Sequence, residues 1–343
     1  MPGKRLQVAV VGAGHMGRHH ARLYHELPDC DLVAVIDKDI DRAGQLASQY
    51  AGQAVSRFGD VTGDLDAVSV AVPTVYHAEV AIPIMQRGVA VLVEKPLAPD
   101  TTGARQLLDA SRKYNCLLQV GHSERFNPVV QAMLRMGVRP RFIETHRISP
   151  FTFRSADIGV VFDMMIHDID IVLHLVGQGG YAIDAVGVNV LGECEDVANA
   201  RIRFDGGAVV NMTASRLALK TERKIRVFCP TAYLSMDYQR KSGIAIKLAD
   251  NLDLIRMAKE RNFEDLSQMK DVDFGAMVNI EPLMVDDVEP LRAEIEAFLA
   301  SVRTGGAAAV SAEEGYAAVD MAQRITESIR QQAWGRGLTR THA

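Results

Sequence analysis

Cysteine is scarce in this chain. The four residues, at positions 30, 116, 194 and 229 of 343, are scattered and never form Cys-x-x-Cys. That excludes zinc ribbons and dithiol redox chemistry, and it predicts small buried apolar residues in a reducing, cytoplasmic compartment. No apolar run approaches the ~18 residues of a membrane span. Lys4 and Arg5 followed by an apolar stretch have the outline of a signal peptide, but the stretch is short and runs into glycines, so it reads as a first strand. Net charge is only −5. Neither a nucleic acid nor a membrane surface is expected as a partner, and an anionic ligand would need a local basic pocket. Internal repeats and low-complexity tracts are absent.

What is present begins at the first strand. Residues 8–17 read VAVVGAGHMG, an apolar run stopped by Gly12, Gly14 and Gly17, and the next ten residues read as a helix. In a strand–turn–helix of this kind the first glycine allows the turn, the second admits a backbone close to a pyrophosphate, and the third lets helix pack on strand. The helix start, His15 and Met16 included, offers free N–H groups and partial positive charge to phosphates. A second apolar strand, 32–36, ends at Asp37, 20 residues beyond Gly17. A carboxylate there accepts from both adenosine ribose hydroxyls and repels a 2′-phosphate. The sequence therefore predicts an NAD site, with NAD preferred over NADP.

Strands and helices alternate up to residue 121. Strands are expected at 6–11, 32–36, 67–72, 89–93 and 116–120, among six in all, with helices at 39–50, 77–87 (despite Pro83) and from a cap at 100–102 to 114. This is a doubly wound parallel sheet, the Rossmann arrangement. The rhythm then changes. Helices at 128–136 and 162–176 and a strand at 141–148 precede consecutive strands at 182–190, 197–204, 208–215, 224–229 and 232–236, with Asp205-Gly206-Gly207 as a hairpin turn. The expected fold is α/β plus α+β: an NAD-binding domain over 1–123, then a domain over 124–343 built on a largely antiparallel sheet packed on helices. Residues 248–280 read as a polar excursion, and 290–303 and 312–330 as amphipathic helices. No Gly/Ser linker separates the domains, so a shared tight cleft is expected.

In open α/β sheets ligands bind outside the carboxyl ends of the strands. That rule selects the glycine turn, Asp37, Pro73-Thr74, Glu94-Lys95-Pro96 and Gly121-His122. Lys95 leaves a buried strand and is held between Glu94 and a proline that biases it to extended geometry. It could donate to an alcohol or carbonyl oxygen, or simply pair with Glu94 at the surface. Asp163 and His167 in FDMMIHDID stand four apart, on one helix face. An Asp beside a His fixes its tautomer, which suits a general base, although a surface pair or a satisfied core histidine has the same spacing. A metal at His167, Asp168, Asp170 and His174 fits no ligand motif, so no metal is expected. His15, His19, His20 and His25 read as solvent-facing; His77 either faces the cofactor or starts a helix. No tyrosine has a lysine four residues on, which removes the Tyr-x-x-x-Lys design, and the cysteines cannot supply an alcohol-dehydrogenase zinc site.

VGAGHMGRHHAR, AVPTVYHAEVA, VLVEKPLA, VGHSERFNP, FDMMIHDIDI and EPLRAEIEAFLASV, in this order along nearly the whole chain, resemble the Gfo/Idh/MocA oxidoreductases. The resemblance implies a catalytic set of Lys95, Asp163 and His167. It also implies that the second domain's largely antiparallel sheet is open-faced and forms a homodimer or homotetramer. GHSERFNP and the 157–177 segment look most like members that oxidise the 3-hydroxyl of UDP-N-acetylglucosamine, or of its uronic acid, for amino-sugar, lipid A or surface-polysaccharide synthesis. On that resemblance Arg125 and Asn127 lie near the substrate, and Arg147 and Arg154 could meet a diphosphate. A free polyol or aldose dehydrogenase of the inositol type, a reductase running the other way and a non-catalytic dinucleotide-responsive regulator are the other readings.

Overall fold

The computed structural model describes residues 4–50, 52–152, 158–177, 179–248 and 278–331. Arg154 and most of the 248–280 excursion lie outside the described residues. The first half is a parallel sheet of β1 (Leu6–Val11), β2 (Cys30–Ile36), β3 (Gln53–Val55), β4 (Ala67–Val70), β5 (Ala90–Glu94) and β6 (Leu118–Gly121). Its order is β3-β2-β1-β4-β5-β6. The central strands β4 and β5 are buried at every position, as expected where helices cover both faces. The covering helices are α1 (His15–Glu26), α2 (Ile40–Tyr50), α3 (His77–Met85) and α4 (Thr101–Lys113). Asp100 caps α4, accepting from the Gly103 amide at 2.8 Å. The sixth strand, which the sequence reading did not locate, is β3, three half-buried residues on the sheet edge.

The second half contains α5 (Pro128–Arg135), β7 (Phe142–Ile148), a π-helical turn (Val161–Met165) leading into α6 (Ile166–Val176), then β8 (Tyr181–Val188), β9 (Val197–Phe204), β10 (Val209–Ser215), β11 (Glu222–Phe228), β12 (Ala232–Asp237), β13 (Ser242–Leu248) and β14 (Val278–Pro282). These strands form one sheet in the order β14-β13-β12-β11-β7-β10-β9-β8, antiparallel except for β7 beside β10. Alternation sets the two faces. On β9, Ala198, Ala200, Ile202 and Phe204 are buried toward α6, while Asn199, Arg201 and Arg203 point the other way into solvent. On that outer face Phe142, Phe228 and Tyr233 stack across three strands, with ring centroids 5.4 and 4.8 Å apart. β13 and β14 correct the expectation that 232–236 is the last strand.

Two last helices, α7 (Pro290–Thr304) and α8 (Ala312–Gln331), return to the first sheet. Leu291, Ile295, Phe298 and Leu299 of α7 are buried with Val8, Val10, Leu23 and Tyr24. α8 packs on α4, α6 and β8. A second, larger apolar cluster, to which α8 contributes, runs from one sheet to the other. Among the described residues no helix is long and apolar enough to cross a membrane.

α8 is pinned by charge as well as by packing. Arg125 is buried and holds Asp170 of α6 through two nitrogens and Glu314 of α8 through a third. Burial alone would raise the Glu314 carboxyl; the His174 hydrogen bond and the Arg125 charge override it and hold it well below the usual carboxylate range. A carboxylate with a depressed native pKa contributes stability that is complete above its unfolded value and is lost as pH falls through the native one. Glu314→Gln should therefore cost about 1–3 kcal/mol at neutral pH. The difference from wild type, followed by urea melts, should shrink below about pH 4.5, where the unfolded carboxyl protonates. A pH-independent difference would show that the charge contributes nothing.

Candidate active site

The three glycines serve three different ends. Gly12 has a φ of +102°, and a Cβ there would lie 2.6 Å from the Ala71 carbonyl oxygen of the neighbouring strand end. A Cβ at Gly17 would run into the Gly12 carbonyl oxygen, so that glycine sets how closely α1 meets the turn. Gly14 faces open space. It is also the N-cap of α1 and brings no side chain to the first helical amides, including those of His15 and Met16. Open space before uncapped amides fits a pyrophosphate. Asp37 ends β2 and accepts from the Ala13 amide at 2.7 Å and the Asp39 amide at 3.0 Å, which ties the acidic strand end to the glycine turn. These residues fit an NAD cofactor.

Pro73 and Thr74 open a 3₁₀ turn just past β4 (Thr74–Tyr76). His77, read from sequence as either cofactor-facing or a helix start, begins α3 and is buried. Its ring nitrogens lie 3.2 Å from the Leu97 carbonyl and 3.0 Å from the Val72 carbonyl. It laces the loop after β4 to the loop after β5, and burial lowers its pKa against those bonds.

His20 was expected to face solvent and is instead fully buried. It shares the inner face of α1 with Gly17, Ala21 and Tyr24, as i, i+3, i+4 spacing requires. Its ring spans Ser69 of β4 (3.0 Å) and Glu94 of β5 (2.8 Å), and Tyr24 completes the set on Ser69 (2.7 Å). Burial pushes the Glu94 carboxyl up, but the His20 bond and the charges of His20 and Lys95 leave it below its ordinary value. Glu94 also accepts from the Lys95 amide at 3.2 Å. The lysine therefore leaves β5 from a fixed base rather than pairing with Glu94 through its side chain. The Lys95–Pro96 peptide is cis.

From that base Lys95 reaches across to the second half. Its ammonium donates to the Asp163 carbonyl at 2.8 Å and lies 3.8 Å from the Asp163 carboxylate. Its side chain is 20% exposed. Burial lowers its pKa despite the opposing charges of Asp163 and Glu94. The expected contact of Asp163 with His167 is replaced by this one. Asp163 sits in the π-helical turn, whose wider winding changes its angular offset from position 167. The His167 Nδ1 is buried with no hydrogen-bond partner. Burial, and then the charges of Lys95, Arg147, His122 and Arg223, hold the ring well below its ordinary pKa, so it is neutral and able to accept a proton. His122, just past β6, is buried beside this group with both ring nitrogens unpartnered.

Two of the arginines expected near the substrate, Arg147 and Arg125, are buried and paired within the chain. Arg147 is buried and grips Asp168 through two nitrogens (2.9 and 3.1 Å), with Glu124 at 3.3 Å. Strand alternation points it inward, where it fixes the residue after His167. Arg125 is committed to Asp170 and Glu314. Asn127 caps α5 through the Val129 amide and donates to the Tyr238 carbonyl. Asp168 and Asp170, two members of the discarded metal set, are thus occupied by guanidiniums. Of the residues around this group, the strand-end rule selected His122 without giving it a role, Asp168 entered only through the metal set, and His20 was read as solvent-facing although its place on the Gly17–Ala21–Tyr24 face was a readable sign. Arg223 was missed, because nothing in its local sequence sets it apart.

Comparison with known proteins agrees with the geometry. Residues 6–122 match the model of an oxidoreductase family with an NAD-binding Rossmann fold, and residues 131–235 match the Gfo/Idh/MocA C-terminal domain. UDP-N-acetylglucosamine 3-dehydrogenase of Acidithiobacillus ferrooxidans is 36% identical over 234 residues, 68% of this chain and 74% of that protein. Its solved structure covers 95% of this chain and 98% of its own, at a TM-score of 0.83 and 28% identity. Inositol 2-dehydrogenase 4 of Saccharopolyspora erythraea is 33% identical over 52% of this chain and 56% of its own. Levoglucosan dehydrogenase in complex with NADH shares the fold, with a TM-score of 0.80 at 19% identity over 95% of this chain and 97% of its own. The chain belongs to the Gfo/Idh/MocA family of NAD-binding oxidoreductases, as a dehydrogenase acting on CH–OH groups.

Proposed function

We propose that the enzyme oxidises the 3-hydroxyl of UDP-N-acetylglucosamine, or of its uronic acid, to the 3-keto sugar. Residues 1–123 carry the cofactor, and the cleft against residues 124–343 takes the sugar. NAD, when bound, supplies the hydride acceptor. Gly12, Gly14, the first amides of α1 and Asp37 would hold it.

The observation that carries the reading is the meeting of Lys95 with the helix that bears His167. A lysine from the end of β5 and a neutral histidine from α6 belong to opposite halves, and the lysine is anchored on the turn that opens that helix. His167 takes the hydroxyl proton as general base. Lys95 donates to the same oxygen and stabilises negative charge developing there. Asp163 acts through Lys95: its carbonyl and carboxylate fix where the ammonium sits. The same groups serve the reverse reduction. The substrate rests on the likeness to the Acidithiobacillus enzyme, 36% identical over 74% of that protein's length. The aromatic stack on the outer sheet face supports a homodimer or homotetramer assembled there.

Lys95→Ala and His167→Ala should each lower turnover at least ~100-fold while NAD still binds. NADH absorbance with UDP-N-acetylglucosamine as substrate is the readout, and unchanged turnover in either variant removes that residue from the mechanism. Reduction of NAD by myo-inositol but not by the nucleotide sugar would replace the substrate by a free polyol. Failure with every alcohol despite tight NAD binding would point to a regulator.

Asp37→Ala should raise the Kd for NAD by about tenfold or more and move the NAD/NADP preference toward NADP. An unaltered ratio in fluorescence titrations would leave the carboxylate with only its bonds to the glycine turn.

A further inference from the structure

One row of residues crosses the covered face of the second sheet. Ala214, Arg147 and Arg223 are register partners on β10, β7 and β11. The Tyr238 amide donates to the Arg223 carbonyl, which carries the row past the end of β12. Directly opposed residues share a face. The Arg223 side chain therefore lies on the face of Arg147, the same face on which Ile225 and Val227 are buried farther along β11. Arg147 and Tyr238 are each 3% exposed, yet Arg223 between them is exposed. A solvated guanidinium on an otherwise covered face marks where the sheet opens into the cleft. The opening is the one that holds the candidate site, because Arg147, directly opposite Arg223 on β7, grips Asp168, the residue after His167.

The neighbouring arginines have their charges answered. Arg147 has Asp168 and Glu124, and Arg125 has Asp170 and Glu314. Among the described residues no carboxylate pairs with Arg223. Two like charges opposed across a strand pair are unfavourable, so an uncompensated Arg223 opposite Arg147 is a standing demand for an anion. A guanidinium presents a planar fork of donors that matches the oxygens of a phosphate or a carboxylate.

We infer that Arg223 is a specificity-determining residue that holds the anionic group of the sugar substrate, a phosphate or a carboxylate, while the hydroxyl lies between Lys95 and His167. This rests on the nucleotide-sugar reading above and deepens it. The anion is what separates such a substrate from a neutral polyol at the same catalytic groups.

The test compares Arg223→Gln and Arg223→Lys with Lys224→Gln. The last removes the same charge one residue away on the outer face, where Lys224 lies 3.4 Å from Glu222. Two readouts are taken: steady-state kinetics with UDP-N-acetylglucosamine, and calorimetric binding of UDP, of free glucuronate and of uridine to the NADH-loaded enzyme. Arg223→Gln should raise KM roughly 10- to 100-fold with kcat within a few-fold of wild type, as expected for loss of a charged hydrogen bond made equally in ground and transition states. It should weaken UDP or glucuronate binding by a similar factor and leave uridine unaffected; whichever anion responds identifies the source of the charge. Arg223→Lys should fall between, and Lys224→Gln should match wild type. Equal KM and equal anion binding in Arg223→Gln and wild type overturn the inference, as does a wild type that binds neither anion. If wild type oxidises only neutral polyols but shows Arg223-dependent anion binding, the substrate reading fails and the anion site stands. If the nucleotide sugar turns over and Arg223→Gln is silent, the reverse holds.

Discussion

The contact between the Lys95 ammonium and the Asp163 carbonyl is the bond on which the arrangement turns. A partly buried cation must be answered by oxygen, and here the answering atom belongs to the other half of the molecule. Everything on either side reads as preparation for that meeting. On the nucleotide side, His20, Ser69, Tyr24 and Glu94 lock together three elements, α1, β4 and β5, beneath the lysine. On the sheet side, Arg147 and Arg125 grip Asp168 and Asp170 and fix the rotation of α6 about its axis. His167 lies within the same helix, between Asp163 and Asp168.

The electrostatic consequence is an inversion of what the composition suggests. The chain as a whole is mildly acidic, yet around His167 the influences that follow burial are Lys95, Arg147, His122 and Arg223. Desolvation and neighbouring cations both oppose protonation of the imidazole. The imidazole is therefore kept neutral, with a lone pair free to receive a hydroxyl proton, and a proton it takes is released easily.

Much of this was legible in the residues. The glycine spacing, the acidic end of β2 and the rule of strand carboxyl ends led to Gly12, Gly14, Gly17, Asp37 and Lys95, because each depends on local geometry that sequence encodes directly. Alternation and hairpin chemistry gave β9 and β10 to within a residue. What was not legible depends on partners far away along the chain. Arg125, placed near the substrate by resemblance, is engaged by Glu314 only once α8 arrives, and Arg147, read as able to meet a diphosphate, is engaged by Asp168 only once α6 packs beneath it. Asp163 was placed on His167 by assuming an unbroken α-helix, and a π-helical turn leaves no trace in hydrophobic spacing. β14 pairs with β13 across residues that lie outside the described set, so no hairpin signature joined them.

The placement of α7 bears on how the molecule is made. Its apolar side chains finish the face of the first sheet that α1 begins to cover, so Val8, Val10, Leu23 and Tyr24 lack their final neighbours until nearly the last helix has left the ribosome. During synthesis the early domain must wait, partly clothed, while the entire second sheet is translated. That interval makes it a natural client for chaperones.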